Sequence, residues 1–433
     1  HFDRKSRTIV VLKGFKNSLS DVKFQRFCNN YVRIDLEGNI LEEWKTSASN
    51  IEYPHHDIKL MEDGSLVILH GVSRNYDLTS IGGGSSVDVF HDGFTVLGPD
   101  GQKLFTWDTS GTVDPVNDKY LNTLETYYDL VHANSVSWDT EGNYYFTLNN
   151  LNELWKIDGK TGEVLYRVGD NGNIAIPEDA HTSGIHSSVP LAPDKILVLD
   201  NGSKTRISRA LVYNVDAAAG TATVGMSVSI PSELSSTDRS NVEIIDNGSK
   251  LFFGSTAGRC CVFTDKDGKI LFACHSRTNF FPISDFTLQI RQMYFNKDGW
   301  PLLNMNEYYG EDATLAKLNI EEIAGDYECI ITRRNRVPKT DGTATPSEII
   351  HIEKNGNITG AYSGKVELDS DGSSITIKFD KEGSFSGSVF KCTDWNLKEI
   401  PDQQRKTISF TALNSSDGSK KGEYIFGNKI LNQ

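Results

Sequence analysis

The sequence lacks the features that mark several common classes of protein. Its longest apolar runs are only a few residues, so nothing approaches the length of a membrane span. It has no run of basic residues and a formal net charge of -14, which argues against a nucleic-acid or anionic membrane partner, because phosphates are bound by clustered Lys and Arg. The six cysteines include no C-x-x-C pair, which argues against a structural zinc site. We predict neither a metal nor another cofactor.

Strand and turn signals dominate the chain instead. Its 433 residues are enough for two domains. A strand, a glycine-bearing turn and a second strand recur at 96–107, 154–166 and 261–272. A turn followed by a short apolar strand recurs at 62–69, 141–148, 193–199 and 247–254.

The spacing of this second pattern is regular. Its turns at Gly142, Lys195 and Gly248 are about fifty residues apart, and a turn at Gly299 follows at the same distance. A four-stranded unit repeated at that period is typical of the blades of a β-propeller. We therefore predict an all-β fold in which residues 1–322 form a propeller of about six blades, give or take one.

The pattern changes near residue 325. Short strands separated by turn residues follow, such as G-D-Y-E-C-I-I and I-S-F-T-A-L. Residues 323–433 are predicted to form a separate small β-barrel, either lipocalin-like or a sandwich.

Histidines precede three of the predicted strands. His186, the pair His55-His56, and His132 each stand roughly nine or ten positions before a turn-and-strand signal. A radially repeated fold would bring equivalent positions to one shared axis, so these histidines are expected to form one site. Imidazole titrates near neutrality and is suited to nucleophilic attack and proton transfer.

These segments resemble the bacterial arylsulfotransferase family between residues about 30 and 290. The matching phrases are P-H-H-D-I-x-x-x-x-D-G (54–64), V-D-V-F-H-D-G-F-T-V-L-G-P-D-G (87–101), H-A-N-S-V (132–136), L-N-E-L-W-K-I-D (151–158), L-D-N-G (199–202) and S-R-A-L-V-Y (208–213). The resemblance implies a periplasmic six-bladed propeller that moves a sulfuryl group between phenols without a nucleotide donor. It also implies that His186 becomes covalently sulfated. His132 and Asn134 match the family's H-x-N motif, and the pair His55-His56 matches the family's first axial histidine.

Two departures from the family pattern are visible. The family commonly has Arg where this chain has Asn149-Asn150, and Asp where it has Ser187. The missing Arg bears on how transition-state charge would be stabilised. We assign Asn149 to substrate binding. We expect Arg209 or Arg259 to supply positive charge in place of the missing Arg.

A second resemblance begins near residue 290. The phrase R-Q-M-Y-F-N-K-D-G-W-P-L-L (291–303), with G-A-Y-S-G-K and S-F-T-A-L-N-S-S further on, is similar to the last blade and C-terminal barrel of secreted endo-arabinanases. It implies a carbohydrate setting. It does not bring the three acids that hydrolysis by those enzymes requires, and Glu307, Glu311 and Asp312 are interpreted as surface charges.

Roles follow if the histidines transfer a sulfuryl group. His186 would attack sulfur, and His55 or His56 would donate to the leaving oxygen or activate the acceptor. His132 and Asn134 would hold the sulfuryl oxygens. Tyr128 is expected to line the pocket as an aromatic wall for a phenol or a sugar ring, with burial as the alternative.

The predicted function is therefore a nucleotide-independent sulfotransferase acting from an aryl sulfate to a phenolic or glycan acceptor. Two alternatives remain open: a polysaccharide-active propeller, either lyase or glycosidase, that uses the same histidines, and a non-catalytic glycan-binding propeller. The chain starts at His1 without a methionine or a visible signal peptide, so we expect a trimmed or mature form. We expect a monomer that is periplasmic, secreted or on the cell surface and is not inserted in a membrane.

Overall fold

The structure is a computed structural model in which strands make up nearly all of the regular structure. It describes residues 1–3, 6–14, 28, 30–35, 39–45, 49–232, 235–237, 240–245, 250–254, 260–265, 267–277, 286–306, 308, 314–315, 317–333, 346–394, 406–414 and 422–430. The chain divides into two compact units, His1–Val262 with Cys274–Ser276, and Phe263–Ala273 with Arg277–Gln433. The predicted boundary after residue 322 stays a prediction.

Antiparallel four-stranded sheets confirm the propeller-like architecture. The first sheet contains β1 (Phe2–Asp3), β2 (Thr8–Lys13), β3 (Asn30–Ile34) and β4 (Ile40–Lys45). The second contains β5 (Pro54–Leu60), β6 (Leu66–Tyr76), β7 (Val87–Leu97) and β8 (Lys103–Asp108). The third contains β9 (Ala133–Trp138), β10 (Tyr144–Leu148), β11 (Glu153–Ile157) and β12 (Val164–Gly169). The fourth contains β13 (Ile185–Ala192), β14 (Lys195–Asp200), β15 (Arg209–Asp216) and β16 (Thr221–Ser229).

The third sheet shows why these residues form blades. Every residue of β10 is buried, and its aromatic and branched side chains suit a strand that is covered on both faces. The turn before it needs a left-handed residue, which Gly142 provides at φ +86°. Asp139 closes the same turn, because its Oδ1 accepts from the backbone N–H groups of Glu141 and Asn143, both at 3.0 Å.

The first strands of three successive sheets lie side by side. Lys59 Nζ on β5 donates to the Val136 carbonyl on β9 at 2.6 Å. The Ser188 backbone N–H on β13 donates to Ser135 Oγ on β9 at 3.2 Å. Because β5, β9 and β13 touch in this order, residues at equivalent positions on them come close together.

The described residues form five four-stranded blades, a number that lies within the predicted range of about six, give or take one. β17 (Asn241–Ile245) and β18 (Lys250–Gly254) form a two-stranded sheet. The next strands, β19 (Cys260–Thr264) and β20 (Ile270–Arg277), share a sheet with β21 (Phe286–Phe295) and β22 (Pro301–Leu303). In the described part of the chain, the sequence repeat that contains β17 and β18 therefore does not form a four-stranded blade of its own.

A closed eight-stranded barrel confirms the lipocalin-like alternative for the C-terminal region. Its strands are β24 (Gly325–Thr332), β25 (Glu348–Ile352), β26 (Asn357–Gly360), β27 (Gly364–Leu368), β28 (Ser374–Phe379), β29 (Gly383–Thr393), β30 (Lys406–Asn414) and β31 (Tyr424–Lys429). Pairing of β29 with β30 closes the ring, and β23 (Thr314–Leu315) is added at β29. The interior is apolar, with Tyr327, Phe385 and Phe410 at its centre.

Helices are short in the described residues. They are α1 (Thr123–Thr126) and α2 (Ile320–Ile323), each a single turn. None of the helices in the described ranges has the length and apolar character needed to cross a membrane.

Candidate active site

The histidine pair His55-His56 lies in a break in the strand register. Along β5, Pro54 pairs with His70 and the next paired residue is Ile58, opposite Ile68. Residues 55–57 therefore face the single residue between those partners. Such bulges bend a strand and re-aim its side chains, and they occur often beside active sites.

The same irregularity recurs in the next two sheets. On β9, Ala133 and Ser135 pair with consecutive residues of β10, which leaves Asn134 as the extra residue. On β13, Ile185 and Ser187 pair with consecutive residues of β14, which leaves His186 as the extra residue. Three neighbouring first strands thus carry a bulge at the end where each begins, and each bulge contains a predicted site residue.

A buried carboxylate connects two of these bulges. Asp92 on β7 and His55 are both completely buried, and His55 Nε2 lies 3.0 Å from Asp92 Oδ1. The other oxygen, Asp92 Oδ2, accepts from the backbone N–H of Ala133 at 2.7 Å. Asp92 therefore orients the His55 ring and holds the start of β9 against it.

The His55 ring contacts His56 in turn. Their Nδ1 atoms are 2.6 Å apart. Because the carboxylate accepts, His55 Nε2 carries a proton, and in the neutral ring its Nδ1 is an acceptor. His56 Nδ1 then donates to it, so a neutral His56 presents Nε2 as a lone pair.

His132 is held by a second carboxylate. Its Nδ1 lies 2.5 Å from Asp129 Oδ2, so its Nε2 is left to act as base or, once protonated, as donor. The rings of His56 and His132 meet edge to face, with centroids 5.2 Å apart. Both residues have left-handed backbones, at φ +58° and +50°. Strained backbone of this kind costs about 1–3 kcal/mol and is concentrated at functional sites.

Two buried polar side chains at these strand ends have no hydrogen-bond partner. Asn134 is 4% exposed, and neither its Nδ2 nor its Oδ1 is bonded. Ser187 Oγ, beside His186, is also buried and unpaired. Unpaired buried groups cost about 1–3 kcal/mol each, which is expected where a ligand completes the bonding. His186 itself is 9% exposed.

Asn149 joins the segments of His132 and His186. Its backbone N–H donates to the His132 carbonyl at 3.1 Å, and its Nδ2 donates to the Ile185 carbonyl at 2.8 Å. Its side chain therefore bonds to the residue that precedes His186.

Arg209 bonds to Asp200, which pairs with Ile185 directly before His186. Its Nε donates to Asp200 Oδ2 at 2.9 Å, and Nη1 and Nη2 donate to the carbonyls of Asp179 and His181 at 2.6 and 2.5 Å. These bonds fasten a loop to β14 and β15. Arg259, Glu307, Glu311 and Asp312 lie outside the described residues.

Tyr128 lines a pocket of about 690 Å³ together with Tyr53, Phe90 and Tyr127. Tyr128 is half-buried and directly precedes Asp129, the partner of His132. The aromatic wall predicted from the sequence therefore lies beside the chain segment that holds His132.

Two further imidazoles of the second sheet are buried near this cluster. Burial lowers the pKa of His91 to about 4, and its nitrogens lie near the Tyr76 hydroxyl (3.0 Å) and Thr109 Oγ1 (3.3 Å). Burial also lowers the pKa of His70, which contacts Thr95 Oγ1 at 2.9 Å. Both rings are neutral near pH 7 and act as structural hydrogen-bonding groups.

Sequence reasoning missed Asp92 and Asp129. A signal existed for Asp92, because the polar pair His91-Asp92 interrupts a segment that is otherwise mostly apolar. Among the described residues, no cluster of three or more His, Cys, Asp or Glu side chains has the geometry of a metal site.

The fold is a β-propeller with histidines at or directly before the start of three neighbouring first strands. Residues 29–277 match the arylsulfotransferase (ASST) family, and the chain belongs to that family. Residues 305–427 match the C-terminal lipocalin-like domain found with glycoside hydrolase family 43.

Individual similar proteins include carbohydrate enzymes. The chain is 35% identical over 187 residues to an extracellular endo-α-(1→5)-L-arabinanase of Thermotoga petrophila. The matched region covers 42% of this chain but only 35% of that relative's length. A glycoside hydrolase family 43 protein of Bacillus licheniformis is 19% identical over 87% of this chain and 83% of its own, with a TM-score of 0.45. The endo-1,5-α-L-arabinanase structure of T. petrophila gives 19% identity over 86% and 83% of the two chains, with a TM-score of 0.44.

Proposed function

We propose that the protein transfers a sulfuryl group from an aryl sulfate to a phenolic or glycan acceptor through a covalent intermediate on His186. The observation that carries this proposal is the repeated bulge, which re-aims His55-His56, Asn134 and His186 at the ends of three neighbouring strands. Membership of the arylsulfotransferase family supports the chemistry.

In the first half-reaction a neutral nitrogen of His186 attacks sulfur. The N–S bond forms as the S–O bond to the aryl oxygen breaks, and the electron pair leaves with the phenolate. A protonated His56 gives its Nε2 proton to that oxygen, which releases the phenol. Asp92 balances the positive charge that His55 and His56 share before this step.

The sulfuryl oxygens need donors while the charge shifts. The unpaired Nδ2 of Asn134 and Oγ of Ser187 supply them without first breaking a protein hydrogen bond. His132 adds a third donor when its Nε2 is protonated, with Asp129 holding the ring. This donor set replaces the charge of the Arg that the family commonly places near Asn149.

The second half-reaction reverses the roles. The neutral His56 takes the proton of the acceptor hydroxyl, the acceptor oxygen attacks sulfur, and the N–S bond breaks. This returns His186 to its starting form and His56 to its protonated form. The cycle balances without a metal or nucleotide as reactant.

The test is the intact mass of the protein after brief incubation with 4-nitrophenyl sulfate. We expect a sulfuryl adduct on the wild type and none on His186→Ala. His181→Ala is the matched control, since His181 is a surface histidine whose Nδ1 lies 2.9 Å from Asp170. An adduct that persists in His186→Ala would refute His186 as nucleophile. Absence of adduct and of phenol release with several aryl sulfates would refute the transfer itself.

A second candidate is a polysaccharide-active enzyme, lyase or glycosidase, at the same histidines. It is favoured by the match of 35% identity to an extracellular arabinanase and by the lipocalin-like domain. A lyase would create ultraviolet absorbance from an unsaturated uronate, whereas a glycosidase would release reducing sugar without it. By the same likeness we propose a secreted or periplasmic location, to be checked by fractionating cells that express the full-length gene.

A further inference from the structure

The pocket lined by Tyr128 includes residues of a two-stranded ribbon. Residues 71–76 of β6 and 87–92 of β7 pair with each other beyond the pairs that join β6 to the first residue of β5 and β7 to the last residue of β8. This ribbon rises at the end of the sheet where β5 begins, which is the end that carries His55. The pocket has a volume of about 690 Å³, which suits a small organic ligand.

Aromatic rings form much of its wall. Tyr53, Phe90, Tyr127 and Tyr128 all line it, and the Tyr53 and Phe90 rings meet edge to face at 5.2 Å. The Phe90 backbone N–H donates to the Tyr127 carbonyl at 2.7 Å, which fastens the tyrosine segment to the ribbon. A planar ring can stack in such a site.

The charge in this pocket is negative. Asp88 is the charged residue of its lining, and it is exposed. The Asn75 amide donates to Asp88 Oδ1 at 2.9 Å, which orients the carboxylate and leaves Oδ2 for a ligand. Aromatic faces next to a carboxylate are the usual surroundings of a bound ammonium group.

The Arg74 guanidinium, on the strand that pairs with that of Asp88, does not neutralise this carboxylate. Arg74 stands opposite Val89 in the ribbon, whereas Asn75 stands opposite Asp88, so Arg74 projects from the other face. There its Nη2 pairs with Asp108 Oδ2 at 3.3 Å.

The pocket wall continues into the histidine cluster along the chain. Phe90 is two residues before Asp92, and Tyr53 is two residues before His55. Asp88 is four residues before Asp92, which is about 13 Å along a strand.

We infer that this pocket binds a phenolic acceptor carrying a protonated amine, with Asp88 as the residue that selects for the positive charge. The acceptor role rests on the proposed sulfuryl transfer, whereas the binding itself does not. The phenol oxygen lies toward His56 and the ammonium group lies at Asp88. A ligand with a carboxylate in place of the amine is repelled.

Three phenols of similar size test the inference: 4-(2-aminoethyl)phenol, 4-ethylphenol and 3-(4-hydroxyphenyl)propionate. Their binding is measured by calorimetry without any donor, and their kcat/KM as acceptors is measured with 4-nitrophenyl sulfate. For the wild type we expect the amine to bind at least fivefold tighter than 4-ethylphenol and the carboxylate more weakly than both. Asp88→Asn removes the preference for the amine and leaves 4-ethylphenol unchanged, and Asp88→Lys inverts the preference.

Asp216→Asn is the matched control, because it removes one exposed carboxylate from a turn of another sheet. Equal binding of the three phenols, or a preference that survives Asp88→Asn, would overturn the inference. The inference would also be overturned if no phenol binds and an arabino-oligosaccharide binds to the wild type but not to Tyr128→Ala. Charge-selective binding without transfer to any acceptor would leave the pocket assignment standing and defeat only the proposed function.

Discussion

Asn149 and Ile185 are 36 residues apart in the chain and are joined by a 2.8 Å bond from the asparagine amide to the isoleucine carbonyl. The same asparagine bonds the His132 carbonyl through its backbone N–H. One residue thus ties the backbone of His132 to the backbone next to His186. At the place where the family commonly has Arg, this chain has a residue that fixes the positions of two histidines.

Removing this amide should misplace His186. For Asn149→Ala we expect kcat to fall by about 10- to 100-fold with a smaller change in KM, since small displacements of a reacting group cost that much. The loss of one hydrogen bond should lower the free energy of unfolding by about 1 kcal/mol. Steady-state kinetics and urea unfolding measure both effects. Asn117→Ala, in an exposed loop, is the control. Full activity in Asn149→Ala would contradict this role.

Asp92 is expected to act through His55 as a positioning residue. Asp92→Asn removes the negative charge that favours a protonated His56, so the alkaline limb of the kcat/KM profile for the aryl sulfate moves to lower pH. We expect kcat to fall by about 100-fold or more. The pH profile separates this role from a loss of stability, which would lower activity without moving the limb. Asp92→Glu, which keeps the charge, should leave the limb in place.

Much of the architecture was predictable because local sequence patterns determine the hairpins and their spacing. The turn at Gly142 precedes β10, and β14 begins at Lys195, close to where the turn-and-strand pattern predicted them. The exact number of blades within the predicted range was not predictable, because strand count alone does not determine pairing. In the described residues β19 and β20 share a sheet with later strands, so β17 and β18 form a sheet of two strands.

The candidate site was predictable only in part. Three histidine positions follow from their spacing before strands, but the bulges depend on the register between strands. Asp92 is 37 residues from His55 in the chain, so only the pairing of β6 with β7 brings it near. Arg209 bonds to Asp200 and to two carbonyls, which its residue type alone did not indicate, and its role in charge stabilisation stays a prediction.

Acid should destabilise the fold through His91. Its pKa is lowered from 6.5 to about 4 by burial, so the unfolded chain binds the proton more readily than the folded one between these values. Stability contributed by the neutral ring is therefore complete above pH 6.5 and is lost as pH falls toward 4. The loss should be on the order of 2–3 kcal/mol. Urea unfolding at pH 7.5, 6 and 5 measures it, and His91→Gln should flatten the dependence. An identical slope in the variant would assign the effect to other groups.

The barrel interior should respond to loss of volume as a packed core and not as a ligand cavity. Phe385 is completely buried, and its ring lies 5.9 Å from that of Phe379. Phe385→Ala should lower the free energy of unfolding of this unit by about 3–5 kcal/mol, because it removes apolar contacts and leaves a cavity. Phe385→Leu, which keeps most of the volume, should cost less than about half as much. Scanning calorimetry measures both variants. A loss below about 1 kcal/mol for the alanine variant would mean that the interior is not tightly packed, and the barrel would then merit a search for an apolar ligand.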